Sequence, residues 1–228
     1  VVACFLGTSK QNTGCYAATL EEAASMLCTL AGYPAMLAPN SPFPNTFFDH
    51  RQTYLRGLYT GGTLCYETLL LLKEHGIICH SNLSSDFSLA LKDPERSYAH
   101  TVIDMGDDYF TDGMPHPMID MRLRSERICR EAADPETGVI LLDCVLGFGC
   151  HPDPAGALAE AIRTAQKEHP GVIYVASVCG TDRDEQNRAE QVRTLRKAGV
   201  IVAESNARAA KITARLLNAE GGKCNADQ

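Results

Sequence analysis

Short apolar runs alternate along this chain with longer stretches whose apolar positions return at helical spacing. Residues 1–6 form the first apolar run and read as a strand. Leu20, Ala23, Ala24, Leu27 and Leu30 then repeat on one helical face. Thr19 precedes them as an N-cap, Glu22 three residues later suggests a capping box, and Gly32 ends the helix. Residues 34–53 carry Pro34, Pro39, Pro42 and Pro44 with little periodicity, which predicts a linker. Alternation resumes with a strand over 54–59, a helix over 63–75 and a strand over 77–80. Residues 82–98 are polar and irregular, and 101–105 predict a strand. Pro117 fits the first turn of a helix running to about Ala132. Strands over 139–145, 172–178 and 200–203 alternate with helices over 153–168, 184–198 and 207–217. Residues 219–228 read as a frayed tail.

Strand–helix–strand alternation with continuous apolar strands predicts a parallel sheet covered on both faces, a three-layer α/β domain. That domain spans 54–218. Residues 1–33 make a separate βα unit, the linker occupies 34–53 and the tail 219–228.

Composition narrows the function classes. The 228 residues are 45% hydrophobic, enough for a packed core. The net charge is −7 and no cluster of basic residues appears, so neither nucleic acid nor an anionic membrane is an expected partner. No apolar run approaches the roughly 20 residues that cross a bilayer, and no signal-peptide pattern is visible. The chain opens on Val1-Val2-Ala3 inside a strand, which suggests a piece of a longer polypeptide. There are ten cysteines and no C-x-x-C pair. Most lie in apolar patterns, so reduced thiols in a cytoplasmic protein are expected.

In such sheets ligands bind at the carboxyl ends of the strands, so chemistry is sought in the turns that follow them. Four turns qualify. Gly61-Gly62-Thr63 lets the backbone approach an anion at a helix start, although tight strand–helix packing would select the same glycines. The turn from Gly147 through Gly149 to Pro154 has the same layout, with Asp153 as the helix cap and His151 nearby. The loop from Gly106 to Pro117 holds Asp107, Asp108 and His116, the last between two prolines. Its carboxylates could bind Mg²⁺ or act as acid and base; a solvated acidic turn is the alternative. Gly180-Thr181 ends a strand, Thr181 or Asp182 would cap the next helix, and Arg183 could contact an anion.

Taken together these motifs resemble the succinyl-CoA synthetase α-subunit superfamily, most closely its FdrA-like branch. Gly61-Gly62-Thr63-Leu64-Cys65-Tyr66-Glu67 is similar to the "SGTLTYE" turn that opens the second flavodoxin-like domain of those subunits. IDMGDDYFTDGMPHPMID (103–120), LLDCVLGFG (141–149) and GTDRDEQ (180–186) resemble FdrA-like proteins. The resemblance covers about 54–217 and implies a flavodoxin-like CoA-ligase-type domain, with 1–33 as the βα remnant of a preceding similar domain. In the ligases a phosphohistidine relays phosphate from a loop that would fall after Gly180. This sequence reads Thr181-Asp182-Arg183-Asp184-Glu185-Gln186-Asn187 there, without histidine.

The resemblance thus implies a subunit for carbamoyl or acyl transfer through an acyl phosphate, of the oxamate carbamoyltransferase type. Asp107, Asp108 and His116 would be catalytic. Gly61, Gly62, Thr63, Gly147, Gly149, Gly180 and Thr181 would hold the ligand, and no residue is assigned to a metal. Mg²⁺ and a phosphate or CoA-type ligand are the cofactor options. The partners implied are a small anionic substrate and other subunits of a hetero- or homo-oligomer. Two alternatives stay open: a succinyl-CoA synthetase-like ligase subunit, and a non-catalytic scaffold.

Overall fold

The computed structural model describes residues 1–7, 15–34 and 52–221, the last three by their backbone alone. Most of the expected linker, Cys224 and residues 222–228 lie outside the described residues. Two short strands, β1 (Ala3–Cys4) and β2 (Tyr16–Ala17), pair in parallel and lead into helix α1 (Leu20–Leu30). Thr19 caps α1 by accepting the Glu22 N–H at 3.2 Å. Glu22 returns to the Ala18 N–H at 2.9 Å, one residue earlier than a standard capping box.

The main body runs β3 (Tyr54–Tyr59), α2 (Gly62–Glu74), β4 (Thr101–Asp104), the short α3 (Asp108–Thr111), α4 (Arg122–Ala132) and β5 (Thr137–Val145). It continues with α5 (Pro154–Glu168), β6 (Ile173–Cys179), α6 (Arg188–Lys197), β7 (Ile201–Ala203) and α7 (Asn206–Gly221). Its five strands are parallel in the order β4-β3-β5-β6-β7. In chain order that is 2-1-3-4-5, the flavodoxin-like arrangement, so the sequence expectation of an α/β flavodoxin-like sheet holds. Strand order reverses between β3 and β5.

Side-chain alternation divides the core. Leu58, Ile140, Leu142, Cys144, Tyr174 and Ala176 face the layer of α4, α5 and α6. Leu55, Tyr59, Val139, Leu141 and Val175 face α2 and α7. Strands buried on both faces lose the period-2 polar signal and read as continuous apolar runs, which is why 139–145 was legible. Among the described residues no helix is long and apolar enough to cross a membrane. All nine described cysteines are free thiols.

Three boundaries differ from expectation. Residues 77–79 form no ladder; beside the edge strand β4 only an isolated bridge joins His80 to Thr101. Pro117 does not open α4. His116 closes a single turn, its carbonyl accepting the Ile119 and Asp120 N–H groups at 2.8 and 3.0 Å. Asp120 then accepts the Arg122 N–H at 3.0 Å and the helix starts afresh. The hydrogen bonds from Arg122 also pull the Asp120 carboxyl down to about 2. Helix α6 starts at Arg188 because Thr181 and Asp184 close a turn of their own; Asn187 is its N-cap, accepting the Glu190 N–H at 3.1 Å, and Asp182 adds a second cap by accepting the Ala189 N–H at 2.8 Å.

Helix α1 has no buried residue, and Leu27 and Leu30 are exposed. Apolar burial therefore does little to dock it. Polar contacts do: buried Glu67 on α2 accepts the Leu20 N–H at 2.8 Å, and Lys211 on α7 pairs with Glu21. The first places a carboxylate at a helix N-terminus, where the dipole favours it. The other oxygen of Glu67 accepts from Asn206 Nδ2 at 3.0 Å. Glu67→Ala is expected to speed amide hydrogen exchange across α1 at least about tenfold while β5 and β6 keep their protection. Unchanged exchange in α1 would show that Glu67 is not its tether.

Candidate functional site at the switch point

The carboxyl ends of β3, β4, β5 and β6 deliver all four sequence-selected turns to one end of the sheet. At its floor lies a buried ion pair. Asp143, on β5, is fully buried, and Arg124 of α4 bonds one of its oxygens at 2.7 Å. The same Arg124 nitrogen donates to the Leu58 and Asp143 carbonyls at 2.7 and 2.6 Å. Asp143 also accepts the Thr60 N–H at 3.1 Å and the Thr60 hydroxyl at 2.9 Å. The pair thus fixes the exit of β3, and with it the position of Gly61 and Gly62.

Gly61 is the N-cap of α2 and offers no side-chain cap. The N–H groups of Gly62, Thr63 and Leu64 have no acceptor among the described residues. Thr63 is exposed beside them. Free N–H groups and the helix dipole make this end attractive to an oxyanion.

Beside it stands Asp104, the last residue of β4 and 6% exposed. Asn82 clamps its backbone with bonds of 2.9 and 3.0 Å. One carboxylate oxygen accepts the Gly106 N–H at 2.8 Å. The other points at α2: a Cβ placed on Gly62 would stand 3.1 Å from it. Burial pushes the Asp104 carboxyl up, the Gly106 N–H opposes this, and the charges of Asp107 and Asp143 add to the rise.

His116 joins the same corner. A Cβ on Gly106 would meet His116 Nε2 at 2.7 Å and Asp104 Oδ1 at 3.1 Å, so only glycine lets these groups converge. His116 Nδ1 accepts the Met118 N–H at 3.2 Å, which leaves the ring proton on Nε2, facing Gly106. Asp107 and Asp108 are placed differently. Asp107 caps α3 by accepting the Tyr109 N–H at 3.0 Å, and Asp108 is exposed. Among the described residues no three His, Cys, Asp or Glu side chains form a metal-holding group.

The second wall is the loop after β5. Gly149 has φ +82 and Gly147 φ +135, and Phe148 between them is fully exposed. Gln186 holds this loop from the connection after the neighbouring β6, accepting the Gly147 N–H at 3.2 Å and donating to the Gly147 carbonyl at 3.0 Å. The His151 N–H donates to the Met118 carbonyl at 2.7 Å, closing the loop onto the His116 turn. Asp153 is a structural cap, accepting the Gly156 N–H at 3.0 Å.

Gly180 and Thr181 serve packing and turn closure. Gly180 has φ +155, and a Cβ there would lie 2.6 Å from the Leu146 Cβ. The Thr181 N–H is taken by Asp184 at 2.5 Å. Burial pushes the Cys144 thiol up to about 12 and raises those of Cys150 and Cys179.

Sequence reasoning passed over Asp104, Asp143, Arg124 and Gln186. The usable signal was a lone charge within an apolar strand, as at Asp104 and Asp143, which must be paired or functional once buried.

The architecture and this corner define a doubly wound α/β protein with a helix N-terminus, its first N–H groups free, at its switch point. More specifically, the chain belongs to the CoA-ligase family, whose model matches residues 58–216. It is 47% identical over 161 residues to the uncharacterized protein YahF of Escherichia coli (strain K12), a match covering 68% of this chain and 31% of that protein. A solved structure, PH0766 from Pyrococcus horikoshii OT3, aligns with a TM-score of 0.47 at 16% identity, over 91% of this chain and 41% of its own. The chain therefore spans less than half the length of each.

Proposed function

We propose that this chain is the anion-handling part of an acyl-CoA-ligase-like enzyme, binding a phosphate or acyl phosphate at the start of α2. The observation that carries this reading is the row of free N–H groups at Gly62, Thr63 and Leu64. These donors suit charge developing on a phosphoryl or acyl oxygen. His116 is placed to orient the group through Nε2 or to pass it a proton. Asp104, buried at the same corner, is better placed than Asp107 or Asp108 for the carboxylate's part in that chemistry.

A finer reading is an FdrA-type subunit of an oxamate carbamoyltransferase, moving a carbamoyl group through carbamoyl phosphate. The loop from Gly180 to Asn187 favours it: it carries no histidine and closes on its own Asp184. A transfer of that kind relies on positioning and charge stabilisation and uses no protein phosphohistidine. We further read 1–33 as a βα unit of another domain, since α1 leaves its apolar face uncovered. A cytoplasmic oligomer, with other subunits completing the site, fits these readings.

Carbamoyl phosphate titrated into the ¹⁵N-labelled chain is expected to shift the Gly62, Thr63 and Leu64 amides. Together with its companion subunits the protein should form oxalurate and phosphate from oxamate and carbamoyl phosphate. Unmoved amides at millimolar ligand would defeat the anion reading. Shifted amides without oxalurate would defeat only the carbamoyl reading. Label from the γ-phosphate of ATP on the intact protein would instead favour a phosphohistidine-type ligase.

A further inference from the structure

We propose that Asp104 makes the α2 cradle selective for protonated oxyanions, so that it takes phosphate and rejects sulfate. The proposal rests on the reading of α2 as an anion site and specifies which anions that site accepts.

Asp104 is nine-tenths buried, and its Oδ2 has no hydrogen-bond partner among the described residues. That oxygen is not free to turn away. Asn82 holds both the N–H and the carbonyl of Asp104, and the Gly106 N–H holds Oδ1. Oδ2 is thereby aimed at the first residue of α2, where the approach is close enough that even a methyl group on Gly62 would press on it at 3.1 Å. An oxyanion seated on the Gly62, Thr63 and Leu64 N–H groups would therefore also meet the unpartnered Oδ2.

What fits is a group with acceptor oxygens on one side and a single O–H on the other. Phosphate keeps a proton near neutral pH and donates it to Oδ2, forming a short charge-assisted bond. Sulfate has no proton to give. It would set two anions side by side in a poorly solvated corner and leave Oδ2 unpaired. The upward push that burial gives the Asp104 carboxyl works in the same direction, because it makes Oδ2 a better acceptor for that proton. Asp107 is half-buried and spends its carboxylate on capping α3, so it offers the ligand no such acceptor.

The test uses the full 228-residue chain at pH 7 and constant ionic strength, titrated with inorganic phosphate and, separately, with sulfate, and followed at the Gly62, Thr63 and Leu64 amides. Phosphate is expected to bind about tenfold tighter than sulfate or better. Asp104→Asn keeps the acceptor for the Gly106 N–H and adds a donor facing the ligand. It should bring the two affinities within about twofold, mainly by improving sulfate. Asp107→Asn should leave the ratio as it is. Equal binding of both anions by the wild type would overturn the proposal while sparing the cradle, and so would a ratio that survives Asp104→Asn. If neither anion moves these amides, the cradle and its selectivity fall together. The wild-type ratio is decisive by itself should the variant fold poorly.

Discussion

Arg124→Met is expected to lower the stability of the domain by about 3–5 kcal/mol, because it leaves a buried carboxylate without its counter-charge. Asp143 is fully buried, and Arg124 is its cationic partner. Thr60 continues to donate to it, yet neutral donors replace a guanidinium only in part. Against a total stability of about 5–15 kcal/mol, such a loss is large. It should appear as a lower urea midpoint with an unchanged slope. The variant should also lose anion-dependent shifts at Gly62 and Thr63, since the pair positions the exit of β3. Asp143→Leu added to Arg124→Met should recover part of the stability, as apolar pairs often replace buried ion pairs at little cost. It should not recover binding, because Thr60 would have lost its anchor. A midpoint within experimental error of wild type would refute the structural role given to Arg124.

Glu131→Ala should cost a similar amount, about 3–5 kcal/mol, for the opposite electrostatic reason. Glu131 on α4 lies between two buried guanidinium groups. It pairs with Arg56 at 2.9 Å and Arg127 at 2.5 Å, and accepts from the Ser97 hydroxyl at 2.6 Å. Its loss leaves Arg56 with Asp134 at 2.7 Å, while Arg127 keeps the Pro94 carbonyl and a 3.6 Å approach to Glu95. Burial already pulls the Arg127 pKa down, with Glu131 the main opposing influence. This cluster packs against the start of β3 and the turn at Ala99, away from the carboxyl-end turns. The stability loss should therefore come without any change in the phosphate-to-sulfate ratio of the folded protein. A changed ratio would mean that the two ends of the sheet are coupled.

These two clusters also separate what was legible from what was not. Residues 54–59 and 139–145 were readable as strands because burial on both faces leaves uninterrupted apolar runs. Thr19 and Asp153 were readable as caps because capping is decided within three residues. Residues 77–80 misled for the converse reason. Ile77, Ile78 and Cys79 have a strand's composition, but pairing depends on a neighbour that β4 provides through a single bridge. Pro117 misled as well, since a proline suitable for a helix start also suits the isolated turn that His116 closes.

The candidate site divides along the same line. Gly61, Gly62 and His116 were visible as glycines at a strand-to-helix turn and a histidine fixed between prolines. That Asp104, rather than Asp107 or Asp108, is the carboxylate beside them follows only from the pairing of β3 with β4 and the glycine contact at Gly106. Asp107 looked equally acidic in sequence, but local geometry commits it to the Tyr109 N–H.

By itself the sequence determined the α/β alternation, the parallel sheet and the end of that sheet where chemistry belongs, because periodicity, caps and glycine turns are local properties. The tertiary structure alone decided that Arg124 finds Asp143, that Glu67 caps a helix 47 residues earlier in the chain, and that the free oxygen of Asp104 faces α2. Those are encounters between distant segments, and burial gives them their energetic weight by removing the water that would otherwise satisfy each charge.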